Sequence, residues 1–330
     1  MNNEQFISQL ESNYTKVFNY TGGHPNLETC VSIATKYTLA GKVYSGVELQ
    51  KIIDAIADKE PLYSPFWTFR TNAALLPKVA SYLLLAPNMN EELEKAQKGE
   101  ALLEANGYKK SAYRSLSSFF IEDTAHAVRV KTLHQQLKKL QPFLTRNSDL
   151  PYLVVLTARA SEGEEHERAK SVQAYYKALQ KLDFKMGDSL QSLAQLLTLY
   201  NVTYVEELAL YVQQLKIEFE KRGLKMKRKY YPYLGVLAVR ATDTAQVERI
   251  TELVHALKRS TALKGVQDLA FMIAVQKFMH DYSNTAIEDV TITRSNVEEG
   301  WLYVFIDLLF NFSSVAIDGI GSILDFDFSI

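Results

Sequence analysis

The sequence contains a single cysteine in 330 residues, Cys30, which excludes an internal disulfide framework. The opening residues, Met1 to Gln5, lack the basic and then apolar pattern of a secretory signal. Together these absences predict a cytoplasmic, reducing location. Because the neighbours of Cys30 are apolar and no basic residue adjoins it, we expect a packed structural thiol and not a nucleophile.

An excess of either charge is missing as well. The chain has 37 lysines and arginines against 38 aspartates and glutamates, which leaves a formal charge of −1. No global electrostatic field would therefore attract nucleic acid or anionic lipid to this protein, and any such attraction has to be local.

Known catalytic and ligand-binding motifs are absent from the sequence. The six histidines have no zinc-ligand spacing, and there is no Walker motif, no nucleophile elbow and no complete glycine-rich dinucleotide loop. His126 and His134 are interpreted as surface or groove residues rather than metal ligands. We therefore expect no metal and no cofactor, and an enzyme is the less favoured function.

The sequence does contain one motif that occurs three times, a proline followed by an apolar run, which we call the proline phrase. Pro77, Pro151 and Pro232 each stand near the start of an apolar run, and they are 74 and 81 residues apart. That spacing fits four short helices with their turns. We expect Pro151 and Pro232 to occupy the first turn of a helix, where a missing N–H costs little.

Apolar residues recur at steps of three and four along most of the chain, which predicts helices. Three N-terminal helices are predicted over 4–20, 27–40 and 46–58, with Asp188 and Thr203 as the N-caps of two later ones. The predicted fold is all-α, a helical repeat array of the α-solenoid or α/α-toroid-like type with about three four-helix units. The expected divisions are an N-terminal helical cap, three helical units, and a linker with an apolar C-terminal helix, over residues 1–74, 75–149, 150–230, 231–280 and 281–330.

The last helix of this scheme, from Trp301 to Leu324, is strongly apolar, but Asp307, Asn311 and Asp318 interrupt it. A transmembrane span needs about 20 predominantly apolar residues with few or no charges, so we expect none here. Packing against the protein's own body is favoured, and a dimer or partner contact is the alternative.

Positive charge is concentrated in one segment, 216–229, which holds seven basic and two acidic residues. With Tyr230 and Tyr231 behind it, the segment has the basic and aromatic character of a nucleic-acid patch. A solvated helix end and loop is the favoured interpretation, because the other predicted units lack this charge. The basic residues concerned are Lys221, Arg222, Lys225, Lys227, Arg228 and Lys229.

A stacked helical array presents a long concave face, and such faces most often bind a protein or peptide. We therefore predict a non-catalytic interaction protein. Its contact surface is expected beside the recurring prolines and the turns that precede helices, at Asp149, Tyr152, Asp188, Gln191, Tyr230 and Tyr233. Each of these residues also has a structural interpretation, as a helix cap or a core tyrosine.

Two other functions remain open at this point. One is an enzyme or small-ligand binder whose pocket lies between helical units, which a deep pocket with two or more titratable groups in hydrogen-bonding reach would favour. The other is weak nucleic-acid binding through 216–229, which predicts a steep loss of affinity with added salt.

Three segments carry a resemblance to a known family: 142–145 together with 149–152, then 184–193, and 230–238. In these segments the chain resembles a family of bacterial helical proteins of about this length that is known only as a domain of unknown function. The resemblance extends from the N-terminal region to about Met279. It implies a helical fold and a bacterial relative, and it transfers no mechanism.

Overall fold

A computed structural model describes residues 1–58, 75–86, 88–158, 161 and 163–288 of the chain. Over these residues the fold is all-α, as predicted, with fourteen α-helices and no strand. The helices are α1 (Asn3–Thr21), α2 (Leu27–Leu39), α3 (Gly46–Asp58), α4 (Leu75–Leu85), α5 (Met89–Ala105), α6 (Ala112–Ser117), α7 (Thr124–Leu140), α8 (Leu150–Thr157), α9 (Glu165–Lys181), α10 (Asp188–Leu197), α11 (Glu206–Lys221), α12 (Tyr231–Val239), α13 (Thr244–Arg259) and α14 (Ala270–Glu288).

Two predictions fall on the remainder of the chain. The apolar helix from Trp301 to Leu324 lies outside the described residues, and so does the dimer that it could form. Residues 59–74 of the predicted N-terminal cap also lie outside them. The linker was expected to begin at residue 281, but α14 continues past that point to Glu288.

The predicted helix starts are confirmed more often than the predicted caps. The three N-terminal helices match their predicted bounds to within a residue, and α8 and α12 carry a proline in the first turn. The N-cap assigned to Asp188 is wrong, because Asp188 is the first residue of α10 and Gly187 precedes it. Gly187 has a φ of 130°, a conformation that favours glycine. The cap assigned to Thr203 is also wrong, since α11 begins at Glu206 with no capping side chain.

From α5 to α13, long helices alternate with short ones, and α14 is long again, with 19 residues. The odd-numbered helices α5 to α13 have 16 or 17 residues, whereas α6, α8, α10 and α12 have 6 to 10. Seven of the eight residues of α8 and eight of the nine residues of α12 are buried. A helix that is apolar on all sides lies in the interior of a protein. The short helices therefore form the core, and the long amphipathic helices cover it.

The contacts between helices connect the two ends of the described chain. Among the covering helices, α7 packs on α9, α9 on α11, and α11 on α13, which in turn contacts α1. Among the interior helices, contacts run from α6 through α8, α10 and α12 to α14, which contacts α2. Thr261 donates from its backbone N and its hydroxyl to Glu11 Oε1, at 2.8 and 3.0 Å, and Lys277 Nζ donates to the Met1 carbonyl at 3.0 Å. The first helices thus pack against the last ones.

Similar side-chain hydrogen bonds join three covering helices to the interior helix, or the loop just after it, that follows each of them. A donor in the N-terminal half of α7, α9 and α11 reaches a carbonyl at or just beyond the end of α8, α10 and α12. The pairs are Arg129 Nε with Thr157 O at 3.3 Å, Arg168 Nη1 with Thr198 O at 2.5 Å, and Tyr211 OH with Thr242 O. The first two bonds satisfy carbonyls that a helix leaves without intrahelical partners at its C-terminal end, and the third satisfies a carbonyl of the loop after α12.

His126 has a related role, which corrects its interpretation as a surface or groove residue. The side chain is buried, with Nδ1 accepting from the Glu122 backbone N and Nε2 lying 3.0 Å from the Val154 carbonyl. Burial lowers the pKa of His126, so the neutral ring donates from Nε2 to Val154. His134 is partly buried and stacks on Tyr108, with the ring centroids 5.6 Å apart.

A close approach between α10 and α12 depends on Gly235. A Cβ at this position would lie 2.8 Å from Leu193 Cδ1 and 3.3 Å from Leu196 Cβ. We expect Gly235→Ala to lower the free energy of unfolding by roughly 1–3 kcal/mol, because the added methyl overpacks the core. Denaturant unfolding measures this change. Replacing an unhindered helical glycine by alanine raises the free energy of unfolding. An increase for Gly235→Ala would therefore contradict the close approach of α10 and α12.

Candidate functional site

The interior helix α10 has a polar face that is buried from residue 191 onwards and exposed only at its start. Asp188, Gln191, Ser192 and Gln195 fall at i, i+3, i+4 and i+7, which places them on one side of the helix. All residues from 190 to 197 are nevertheless buried. The opposite, leucine-rich side of α10 meets α12 at Gly235. The polar side faces the beginning of α8, as the contacts of Asp149 and Tyr152 show.

Asp149 lies at the centre of this arrangement. It ends a single 3-10 turn before α8, is 5% exposed, and accepts a hydrogen bond from the Arg146 backbone N at Oδ2, 2.7 Å away. Burial raises the pKa of the carboxyl to about 7, although the Arg146 N–H and the Gln195 side chain favour the ionised form. Near neutral pH both protonation states are therefore populated, and the group can accept or donate.

Two tyrosines lie near this carboxyl. Tyr152 is in the first turn of α8, and its phenol is hydrogen-bonded to the Ser192 side chain. Tyr113 is in the first turn of α6, close enough to Asp149 and Asp188 for their charges to act on it. Burial, and the nearby carboxylates after it, raise the pKa of both phenols. Both remain protonated at neutral pH and can donate as well as accept hydrogen bonds.

The cluster reaches solvent at an ion pair. Arg146 Nη1 lies 3.6 Å from Asp188 Oδ2, and the two side chains are 47% and 59% exposed. The pair joins the loop before α8 to the start of α10. The two residues of this ion pair shift the pKa of Asp149 in opposite directions. The charge of Asp188 raises this pKa, and the charge of Arg146 lowers it.

Gln191 has hydrogen-bonding capacity that the described part of the chain does not use. Its side chain is fully buried, and neither Oε1 nor Nε2 has a hydrogen-bond partner among the described residues. Leaving a buried amide unsatisfied costs about 1–3 kcal/mol. An unused donor and acceptor on the polar face of α10 provide a place where a bound molecule could be held.

Four of the six residues predicted for a contact surface come together here, namely Asp149, Tyr152, Asp188 and Gln191. The other two lie between α12 and α14: Tyr230 OH donates to the Asp268 carbonyl at 2.8 Å, and the ring of Tyr233 is 6.5 Å from that of Phe271. Only Asp188 is exposed and Tyr152 is partly buried, while the rest are buried. Their use as a partner-binding surface stays a prediction, and in this structure an outside protein reaches mainly Asp188.

Tyr113, Ser192 and Gln195 belong to the cluster but were not expected there. The spacing of Ser192 and Gln195 after Asp188 is visible in the sequence, so the polar face of α10 could have been found. Tyr113 has the same place as Tyr152, in the first turn of an interior helix. The two tyrosines occupy equivalent positions because a short helix follows each long one in this part of the chain. The proline phrases recur at a longer spacing, so they do not reveal this equivalence.

Most of the predicted basic patch is engaged with carboxylates. Lys221 and Arg222 contact Glu218 at 2.8 and 2.6 Å. Lys227 and Lys229 contact Asp268, at 2.6 and 3.2 Å. Asp268 precedes α14 and was not counted in the local charge of 216–229. The remaining predicted cations, Lys225 and Arg228, are exposed.

Outside this cluster, the described residues offer few groups that could react with or bind a ligand. Cys30 is buried, its sulfur lies 3.4 Å from the Thr21 hydroxyl, and burial raises the pKa of the thiol, which confirms a packed structural role. Over the residues that the structure covers, no three side chains of the metal-binding types are grouped to hold an ion. Over the same residues, none of the helices combines the length and the apolar character that crossing a membrane requires.

These features define an all-helical protein with a buried carboxyl, tyrosine and amide cluster and no recognised catalytic motif. The chain belongs to the family described as "Protein of unknown function (DUF4003)", whose model matches residues 14–307. The resemblance to a family of unknown function is thus confirmed, and the match extends beyond the limit expected near Met279.

One relative among curated proteins is similar to this chain. It is the "Uncharacterized protein YeaA" of Bacillus subtilis (strain 168), 23% identical over 184 residues, which are 53% of this chain and 54% of the relative. The chain therefore spans about half the length of the curated relative that it matches. No solved structure matches the chain.

Proposed function

We propose that the fourteen described helices form an α/α toroid of seven helical hairpins. Each hairpin pairs an odd-numbered helix outside with the following even-numbered helix inside, so the predicted four-helix unit corresponds to two hairpins. Two observations support this arrangement: the buried, short and apolar helices α8 and α12, and the contacts of α1 with α13 and of α2 with α14. In such a toroid all inner helices begin at the same end.

We further propose that the protein binds a small polar molecule at that end, between α6, α8 and α10. The observation that carries this proposal is the buried polar face of α10, with Gln191 lacking a partner among the described residues. The stability of the fold does not explain a glutamine at position 191, because an apolar side chain there would avoid the cost of the unsatisfied amide. A carboxyl, two phenols and two amides are the groups that fix the orientation of polar ligands in mostly apolar pockets.

A protein or peptide partner is the second candidate, and exposed apolar side chains favour it. Phe143 is 89% exposed and Met186 is 58% exposed. They lie in the loops before α8 and α10, which the Arg146–Asp188 ion pair joins. Large exposed apolar groups in adjacent loops are typical of contact surfaces. Nucleic-acid binding is less favoured, since four of the six predicted cations contact carboxylates.

The variant Gln191→Leu tests the ligand site without knowledge of the ligand. The change keeps the volume of the side chain and removes its unsatisfied polar atoms, so we expect the free energy of unfolding to rise by about 1–3 kcal/mol. The matched control is Gln173→Leu, because Gln173 Nε2 donates to the Leu140 carbonyl at 3.0 Å. The control should lose about 0.5–1.5 kcal/mol.

The same pair of variants then serves a binding screen. A library of polar metabolites is tested for an increase in the melting temperature of the wild type, of Gln191→Leu and of Gln173→Leu. We expect compounds that stabilise the wild type and the Gln173 variant but not the Gln191 variant. Destabilisation by Gln191→Leu, or stabilising compounds that act equally on all three proteins, would contradict the site.

A further inference from the structure

Asp149 differs from Glu100, another buried carboxyl, because none of the described residues forms an ion pair with it. Glu100 is also buried, and its Oε2 lies 2.5 Å from Arg114 Nε. Among the described residues, the cation that acts on Asp149 is Arg146, whose guanidinium is exposed and lies 3.6 Å from Asp188. Proteins almost never bury an aspartate completely unless the charge is paired.

The charged and titratable groups of the described residues that act on Asp149 or lie beside it come from its own loop and from α6, α8 and α10, and α7, which also packs on α8, contributes none. Its own loop and α8 supply Arg146 and the neutral Tyr152, α10 supplies Asp188, and α6 supplies the neutral Tyr113. Among the described residues, the total is two carboxyls against one guanidinium. The net charge of these three groups is therefore −1 whenever Asp149 is ionised, and an anionic ligand would be repelled.

From this imbalance we infer that the ligand of the site carries an ammonium or guanidinium group that pairs with Asp149. The inference rests on the proposed function. An ammonium has three N–H donors and no acceptor, so it requires acceptors close to its counter-charge. The cluster supplies the Asp149 carboxylate and, on the buried polar face of α10, the unused Gln191 Oε1. The tyrosine rings also provide faces that attract a cation.

Proton linkage gives the inference a measurable consequence. Burial holds the pKa of Asp149 at about 7 in the unliganded protein. A cation binds the ionised carboxylate, so below pH 7 binding has to expel a proton. The affinity is then expected to fall by about tenfold for each pH unit below 7 and to change little above it, as linkage requires.

The experiment uses the full chain with matched charged and neutral probes at constant ionic strength. 1,4-Diaminobutane and agmatine are compared with 1,4-butanediol, which lacks the charge, by calorimetric titration between pH 5 and 8. Both cations keep their charge over this range. We expect at least one of them to bind, with affinity that falls towards pH 5, and the diol to bind at least tenfold more weakly.

The variant Asp149→Asn provides the second arm of the test, with Gln173→Leu as the control. Asparagine should reduce the affinity for the cation at pH 8 by at least tenfold and abolish the pH dependence, and the control should change neither. If neither cation binds, or if the diol binds as well as they do, the cationic ligand is wrong. The proposed ligand site would still stand on the Gln191→Leu result, so the two failures are distinguishable.

Discussion

Replacing Asp149 by asparagine is expected to raise the free energy of unfolding by roughly 4 kcal/mol at pH 8 and to change it little at pH 4. The pKa of the folded carboxyl is about 7, against an ordinary value of 3.8. The folded state therefore binds the proton more tightly than the unfolded state, and stability falls as the pH rises from about 4 to 7. A shift of about three units corresponds to about 4 kcal/mol. Asparagine avoids this loss, and its side-chain oxygen can still accept from Arg146 N.

Guanidinium chloride unfolding at pH 4, 6 and 8 measures the effect as a difference that grows with pH. Asp188→Asn is the matched control, because it removes a carboxylate of the same cluster whose side chain is 59% exposed. We expect this control to stay within about 1 kcal/mol of the wild type at every pH, as for other surface ion pairs. An Asp149→Asn protein that is no more stable than the wild type at pH 8 would exclude the buried, uncompensated carboxylate.

Removing Arg114 is the second change with a large expected effect. Arg114 Nε lies 2.5 Å from Glu100 Oε2, and its Nη1 donates to the Tyr108 carbonyl at 2.7 Å. Ser115 Oγ donates to the other oxygen of Glu100 at 2.6 Å. Arg114→Ala leaves a buried carboxylate without its cation, so we expect a loss of about 3–5 kcal/mol.

The comparison with a surface pair tests this explanation. Arg146→Ala breaks an exposed ion pair and should cost less than about 1 kcal/mol. The double variant Arg114→Met with Glu100→Met removes both buried charges and should recover most of the loss, since paired buried charges are often replaceable by apolar groups. A single variant Arg114→Ala that costs no more than Arg146→Ala would show that the buried pair contributes little.

The helices were predictable where local patterns determine them. Apolar steps of three and four gave the bounds of α1 to α3, and the prolines marked the first turns of α8 and α12, because these signals act within a few residues. The N-caps failed at Asp188 and Thr203, since a capping pattern competes with tertiary contacts. Asp188 pairs with Arg146, which lies in another loop.

The candidate site was predictable only in part, for the same reason. The turn and proline signals pointed to Asp149, Tyr152, Asp188 and Gln191, yet they gave no sign that the polar face of α10 is buried. A polar stripe on a helix ordinarily faces solvent, and only the packing of α8 against α10 shows otherwise. The basic patch was misleading in a similar way, because its carboxylate partner Asp268 comes from a distant part of the chain.

The contact between Thr261 and Glu11 has a consequence for synthesis. The two residues are 250 positions apart, and α13 and α14 cover surfaces of α1 and α2. At a synthesis rate of roughly 5–20 residues per second, the ribosome releases the covering helices roughly 12 to 50 s after the first one. During that interval the apolar side chains of α1 and α2 lack part of their cover. The nascent chain therefore exposes these side chains for longer than a domain of local contacts would.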